Sequence, residues 1–313
     1  MKIVFFGTPE YVLPVVENIH KKIKVNLGSS VVAVVTQPPK PVGRKKIVTY
    51  SPVDGWAHQR KIPTFYKNTD LLEKGPEADL GILAAYGSII PEAVIKRFKY
   101  GILNIHPSLL PKFRGASPVQ AAIASGLTQT GVTIIKLDSQ MDHGPIVSQF
   151  KEEIAADDSC ETLRAKLFLR GAEVLVELIP VFIKGKITPR AQNHDEASYT
   201  LLVKREDGFI PPEYLAAALS GSDKIKEERS VSFVRDLALV PNPGNLNNFI
   251  RALYPWPCAW TKIKIRNQKL RIKILKAHEG DGKLELDLVQ LEGKSPVSWD
   301  EFKRGYADAV FAE

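Results

Sequence analysis

At 313 residues, with 44% hydrophobic and 25% charged side chains, the chain has apolar material for two globular cores and too much of it for a disordered segment. The formal charge of +8 suits a polyanionic partner without requiring one. Cys160 and Cys258, the only cysteines, give neither a zinc spacing nor a disulfide framework, which points to a reducing, cytoplasmic setting, and no run approaches a membrane span.

The opening MKIVFFGTPE is too short an apolar run for a signal peptide and reads as a first strand, Lys2 to Phe6, with a turn at Gly7-Thr8-Pro9. A helix from about Glu10 to Lys22 and a second strand from Val31 to Thr36 complete a βαβ start, so the fold class is α/β with a parallel sheet. One glycine at the first turn is no dinucleotide fingerprint. Thr36 to Lys46 is a loop rich in proline and positive charge, carrying Lys40, Arg44, Lys45 and Lys46. It is either solvated surface or an element that contacts phosphates. Ala78 to Ala85 is a further apolar strand, ending in Tyr86-Gly87-Ser88.

The most informative stretch is Gly101 to Gly115. It begins as a strand from Ile102 to Ile105, with Asn104 and His106 alternating onto one face. Pro107 and Pro111 then stop regular structure, and a helix begins at about Pro118. Polar side chains at the carboxyl end of a strand are where open α/β sheets place their chemistry. Histidine is the side chain that exchanges protons near neutrality, and the amide N–H of Asn104 can meet a developing oxyanion. Two strands, Thr130 to Leu137 and Ile146 to Phe150, flank a turn that can return Asp142 to the same edge. Asn104, His106 and Asp142 together suit acyl transfer to an amine. A free α-amino group has a pKa of ~8, so much of it is neutral and needs no covalent nucleophile from the protein.

A helix from about Glu161 to Phe182 places Leu163, Leu167, Val174 and Leu178 on its apolar face. Lys186 to Gly208 is polar and irregular, as a linker would be. Periodicity leaves Tyr214 to Leu219 and Ser232 to Leu239 open between helix and strand, while Asn248 to Leu253 looks helical. From Thr261 to Leu275, Ile263, Ile265, Leu270, Ile272 and Ile274 alternate with lysine and arginine around a turn near Asn267-Gln268. With Leu284 to Leu288 this predicts a small β-barrel with one basic face, suited to phosphate binding or to keeping a half-exposed hairpin soluble.

NIHPSLLPKFRGASPVQ and the later MDHG turn closely resemble the folate-dependent formyltransferases. FGTPE, TQPPKPVGRKK, RGASPVQ and the distal IRALYPWPCAW are similar to the methionyl-tRNA formyltransferase family within that superfamily. The resemblance covers roughly Met1 to Gly185 and Asn248 to Lys276. It implies a Rossmann-like formyltransferase domain over 1–186, a linker over 187–208 and an OB-like β-barrel over 209–313 that binds tRNA. It also implies that Asn104, His106 and Asp142 are catalytic, that Ser108, Leu109, Leu110 and Pro111 line the folate site, and that Arg44, Lys45 and Lys46 meet the tRNA. The implied substrates are 10-formyltetrahydrofolate and methionyl-initiator tRNA, with no metal and a monomeric enzyme. The same catalytic set would also serve glycinamide ribonucleotide or an amino sugar nucleotide, or survive on a non-catalytic RNA-binding protein. His143-Gly144-Pro145 departs from the family's usual Thr-Gly-Asp, Lys45-Lys46 shifts the glycine pattern of the basic loop, and Tyr199 to Asn247 matches poorly.

Overall fold

Two apolar runs, Lys2–Gly7 (β1) and Ser30–Val35 (β2), pair in parallel, and the chain between them returns over one face of the sheet they start. The computed structural model describes residues 1–313 apart from 24–27, 29, 44, 223–224, 226, 267 and 312–313. The returning segment is not one regular helix from Glu10 to Lys22. It is a 3-10 turn, Glu10–Val12, then an α-helix, Leu13–Asn18, then a π-helical stretch, Ile19–Ile23. Pro14 fits the first turn of the α-helix, where no N–H is needed.

After β2 come Lys40–Val42 (β3) and Ile47–Thr49 (β4), followed by Thr64–Phe65 (β5), Leu80–Ala84 (β6) and Ile102–His106 (β7). Arg114–Gly115 (β8), Gln129–Lys136 (β9) and Ile146–Glu153 (β10) follow. Seven of these make one sheet in the order β10-β9-β7-β6-β1-β2-β5, with β5, β2, β1, β6 and β7 mutually parallel and β9 antiparallel to β7. The strand order reverses about β1, which places the crevice outside the carboxyl ends of β1, β6 and β7. Val4, Phe6, Ala33, Val35, Tyr86, Phe98 and Ile102 form a core on one face, with Phe6 edge-on to Tyr86 and to Phe98.

The long helix is Cys160–Ile183. Its buried face runs through Leu163, Leu167, Ala172, Leu175 and Ile179, so Val174 and Leu178 sit at its half-buried margin rather than on the stripe expected from sequence. Gly171 explains the offset. A Cβ there would come within 2.9 Å of Ile105 Cγ2, so the helix lies closest to β7 at that residue.

The chain forms two compact units, 1–114 with 130–152 and 164–197, and 115–129 with 153–163 and 198–313. In the second unit Tyr214 to Leu219 resolves as helix, within Pro212–Ser220, ending on the left-handed Gly221. Ser232 to Leu239 is mostly irregular, with Val234 bridging Thr200 and Ala238–Leu239 pairing to Arg229–Ser230. The predicted helix at Asn248 starts earlier, at Pro243, because the Asn242 side chain caps the Asn245 N–H. Its buried residues, Leu246, Phe249, Ile250 and Leu253, face the strand Gln268–Gly280. That strand and Ala259–Ile265, Lys283–Leu291, Val297–Ser298 and Val310–Phe311 form a five-stranded antiparallel sheet. Ile263, Ile265, Ile272 and Ile274 are buried, while Lys262, Lys264 and Lys269 are exposed, as the alternation requires. Among the described residues no helix is long and apolar enough to cross a membrane.

Candidate active site

β7 ends at the crevice with Asn104 and His106 on one face, 5% and 4% exposed. The turn after β9 brings Asp142 to them. Asn104 Nδ2 donates to Asp142 Oδ1 at 3.2 Å, and His106 Nδ1 lies 3.5 Å from Asp142 Oδ2. One N–H of the Asn104 amide is therefore engaged, and the amide carries a second. His106 Nε2 sits 2.9 Å from the Phe113 carbonyl. A carbonyl only accepts, so Nε2 carries a proton and Nδ1, facing Asp142, is the atom through which the ring can exchange one.

The Ser108 to Pro111 loop is held from below. Thr133 Oγ1 donates to the Ser108 carbonyl at 2.6 Å and accepts from the Leu110 N–H at 3.0 Å. Gln149 Nε2 donates to the Leu110 carbonyl and to Thr133 Oγ1. Leu110 packs on Ile135 and Ile146, and the Ser108 hydroxyl donates to the Lys112 carbonyl. Ser108 and Leu110 are thus inward anchors, while Leu109 and Pro111 are half-exposed on the loop. On the neighbouring strand ends, Thr8 Oγ1 and Gln37 Nε2 both donate to the Tyr86 carbonyl, and burial pushes the Tyr86 phenol above its ordinary pKa.

Asp142 itself adopts φ +49°, left-handed backbone that aspartate tolerates better than most residues with a Cβ, and Gly144 packs so closely that a Cβ would fall 1.9 Å from the Lys136 carbonyl. His143, where the family pattern differs, bonds through Nδ1 to Asp138 Oδ2 at 2.7 Å and stacks on His194, with ring centroids 3.9 Å apart. Desolvation, then His143, then the Arg114 charge, holds the His194 pKa below its ordinary value. Gln192 and His194 lie in the stretch that reads as a linker. No periodic or motif signal marks them, and only their position in the fold does.

The expected basic loop is a hairpin. Lys40 pairs with Thr49, Pro41 with Val48 and Val42 with Ile47. Lys45 and Lys46 are exposed at its tip, and Arg44 lies outside the described residues. Val42, Ile47, Val48 and Tyr50 are exposed beside them, between 56% and 62%. In the second unit Arg271 lies 3.9 Å over the Trp260 ring, beside the exposed Lys262 and Lys264. Among the described residues no cluster of histidine, cysteine and carboxylate side chains could hold a metal ion.

A parallel-rich α/β sheet with its polar set at the β7 edge is the architecture of a formyl transferase catalytic domain, and residues 1–179 match the formyl transferase family. Residues 242–285 match the carboxyl-terminal domain of formyl transferases. A methionyl-tRNA formyltransferase from Herpetosiphon aurantiacus is 32% identical over 98% of this chain and 99% of its own length. Among solved structures, an N-formyltransferase from Helicobacter canadensis with folinic acid and dTDP-3-aminofucose superposes with a TM-score of 0.59 at 18% identity, over 88% of this chain and 87% of its own. A methionyl-tRNA formyltransferase from Clostridium thermocellum gives a TM-score of 0.54 at 19% identity, over 93% of this chain and 98% of its own. At those identities the two structures speak for the fold. The chain belongs to the methionyl-tRNA formyltransferase family of formyl transferases.

Proposed function

We propose that the protein transfers the formyl group of 10-formyltetrahydrofolate to the α-amino group of methionyl-initiator tRNA. The observation that carries this reading is the convergence of Asn104, His106 and Asp142 at the end of β7. The neutral amine attacks the formyl carbon directly. As the C–N bond forms, the carbonyl oxygen gains charge and the second N–H of Asn104 stabilises it. The amine's extra proton passes to the Asp142–His106 pair, and the departing folate nitrogen takes up a proton as its bond to the formyl carbon breaks. Rigid support beneath Ser108 to Pro111 gives the folate a fixed wall, with Leu109 and Pro111 as its accessible side chains.

For the RNA, Arg44 of the basic loop contributes together with Lys45 and Lys46, which stand exposed at the hairpin tip, and the lysine and arginine face of the five-stranded sheet supplies phosphate contacts. The same reading gives 1–186 to catalysis, 187–208 to a connector and 209–313 to tRNA binding, in a monomer working in the cytoplasm. Both cysteines are free and buried, which supports a reducing compartment. The test offers 10-formyltetrahydrofolate with methionyl-initiator tRNA and with glycinamide ribonucleotide in separate assays. Formylation of the tRNA alone is the expected result. Formylation of the small amine alone would retain the three catalytic residues and discard the account of the hairpin and the basic sheet.

A further inference from the structure

A single amide spans the two carbonyls that frame the Asp142 turn. Gln192 is 6% exposed, and its Nε2 donates to the Asp142 carbonyl and to the Gly144 carbonyl, each at 2.8 Å. Its Oε1 accepts from Arg114 Nη2 at 2.7 Å and from Arg114 Nε at 3.3 Å. Arg114 is 1% exposed and also meets His194 Nδ1 at 2.8 Å. The residue before it, Phe113, supplies the carbonyl that fixes His106 Nε2. One strut therefore runs from the backbone that holds His106 to the backbone that holds Asp142.

We infer that Gln192 is a positioning residue, clamping the Asp142 turn in register with His106 through Arg114. This rests on the proposed catalytic role of Asp142. The turn gains from such a clamp because Asp142 sits in left-handed backbone, which costs a residue with a Cβ conformational energy, though less for aspartate than for most, and surrounding bonds hold it there. The amide group is suited to the task because it accepts from the guanidinium on one side and donates two N–H groups to carbonyls on the other.

Gln192→Glu separates a clamp from a simple packing role. The carboxylate keeps its size and pairs more strongly with Arg114, but it has no N–H for the two carbonyls and sets oxygen against oxygen. In full-length protein, kcat for formylation is expected to fall about 10- to 100-fold in both Gln192→Glu and Gln192→Ala, since small displacements of reacting groups cost that much. KM for tRNA should stay near the wild-type value, and amide hydrogen exchange across 139–145 should quicken in both variants. Wild-type kcat in Gln192→Glu overturns the clamp, as does a reduced kcat with unchanged exchange across the turn. An inactive wild-type protein would instead defeat the proposed function, and exchange alone would then decide the clamp.

Discussion

The β7 edge and the β3–β4 hairpin lie in the same compact unit and are built on opposite terms. At the edge, Asn104, His106, Ser108, Thr133 and Gln192 are buried and bonded, often twice. In the hairpin every described residue from Lys40 to Tyr50 is exposed, and one pair of short strands with three residue pairs holds it. Acyl transfer rewards groups fixed before the substrate arrives, because positioning completed during folding adds nothing to the barrier. Recognition of a long polyanion rewards reach and exposed charge. The difference fits the chemistry proposed for one region and the RNA capture proposed for the other.

The largest effects should come from breaking the edge. Asn104→Ala removes the proposed oxyanion donor and should lower kcat about 10²- to 10³-fold, with tRNA affinity preserved in a filter-binding assay. Normal turnover in that variant would end the mechanism proposed here. His106→Ala should lower kcat by about 10²- to 10⁴-fold, as removal of a proton-transfer group does. Next comes the support of the proposed folate wall. Thr133→Val keeps the shape but strips partners from the Leu110 N–H, the Ser108 carbonyl and the Gln149 amide. Urea denaturation should show a drop in stability of about 2 kcal/mol, and KM for the folate should rise. The matching hairpin change, Val48→Thr, should stay within about 0.5 kcal/mol, and an equal drop at both sites would erase the contrast.

In the hairpin, the double variant Lys45→Ala, Lys46→Ala should raise KM for tRNA and leave kcat intact. The slope of log affinity against log salt should shrink by about one to two units, because each lysine that neutralises a phosphate releases counterions on binding. An unchanged slope would remove those lysines from the interface. The smallest effect lies at the root of the hairpin, where Ser51 caps the helix Pro52–Gln59 and Asp54 on that helix accepts from the Tyr66 phenol at 2.8 Å. Desolvation, then the bond to Asp54 and its charge, pushes the Tyr66 pKa from 10.0 up to about 12. Folding thus favours the neutral phenol. Its contribution is complete below pH 10 and is lost as pH rises towards 12. Tyr66→Phe should flatten that part of the alkaline denaturation profile, and an unaltered profile would refute the coupling.

Sequence alone determined what depends on neighbours along the chain. Alternation put Asn104 and His106 on one face of β7 and separated Ile263 and Ile265 from Lys262 and Lys264, because strand side chains repeat every two residues. The prolines and glycines marked where those strands stop, and the motif around His106 pointed to the chemistry. Tertiary structure decided what depends on distant partners. Which stripe of Cys160–Ile183 is buried followed from the close approach of Gly171 to Ile105, beyond what periodicity could separate. The exposed pairing of β3 with β4 and the breaks between Glu10 and Ile23 also escaped the pattern, since short elements carry too few residues to show a period. Gln192 was the least legible of all. A polar residue in an aperiodic stretch acquires a role only when the fold places it, 50 residues from Asp142 along the chain, where its amide can satisfy two carbonyls of the turn.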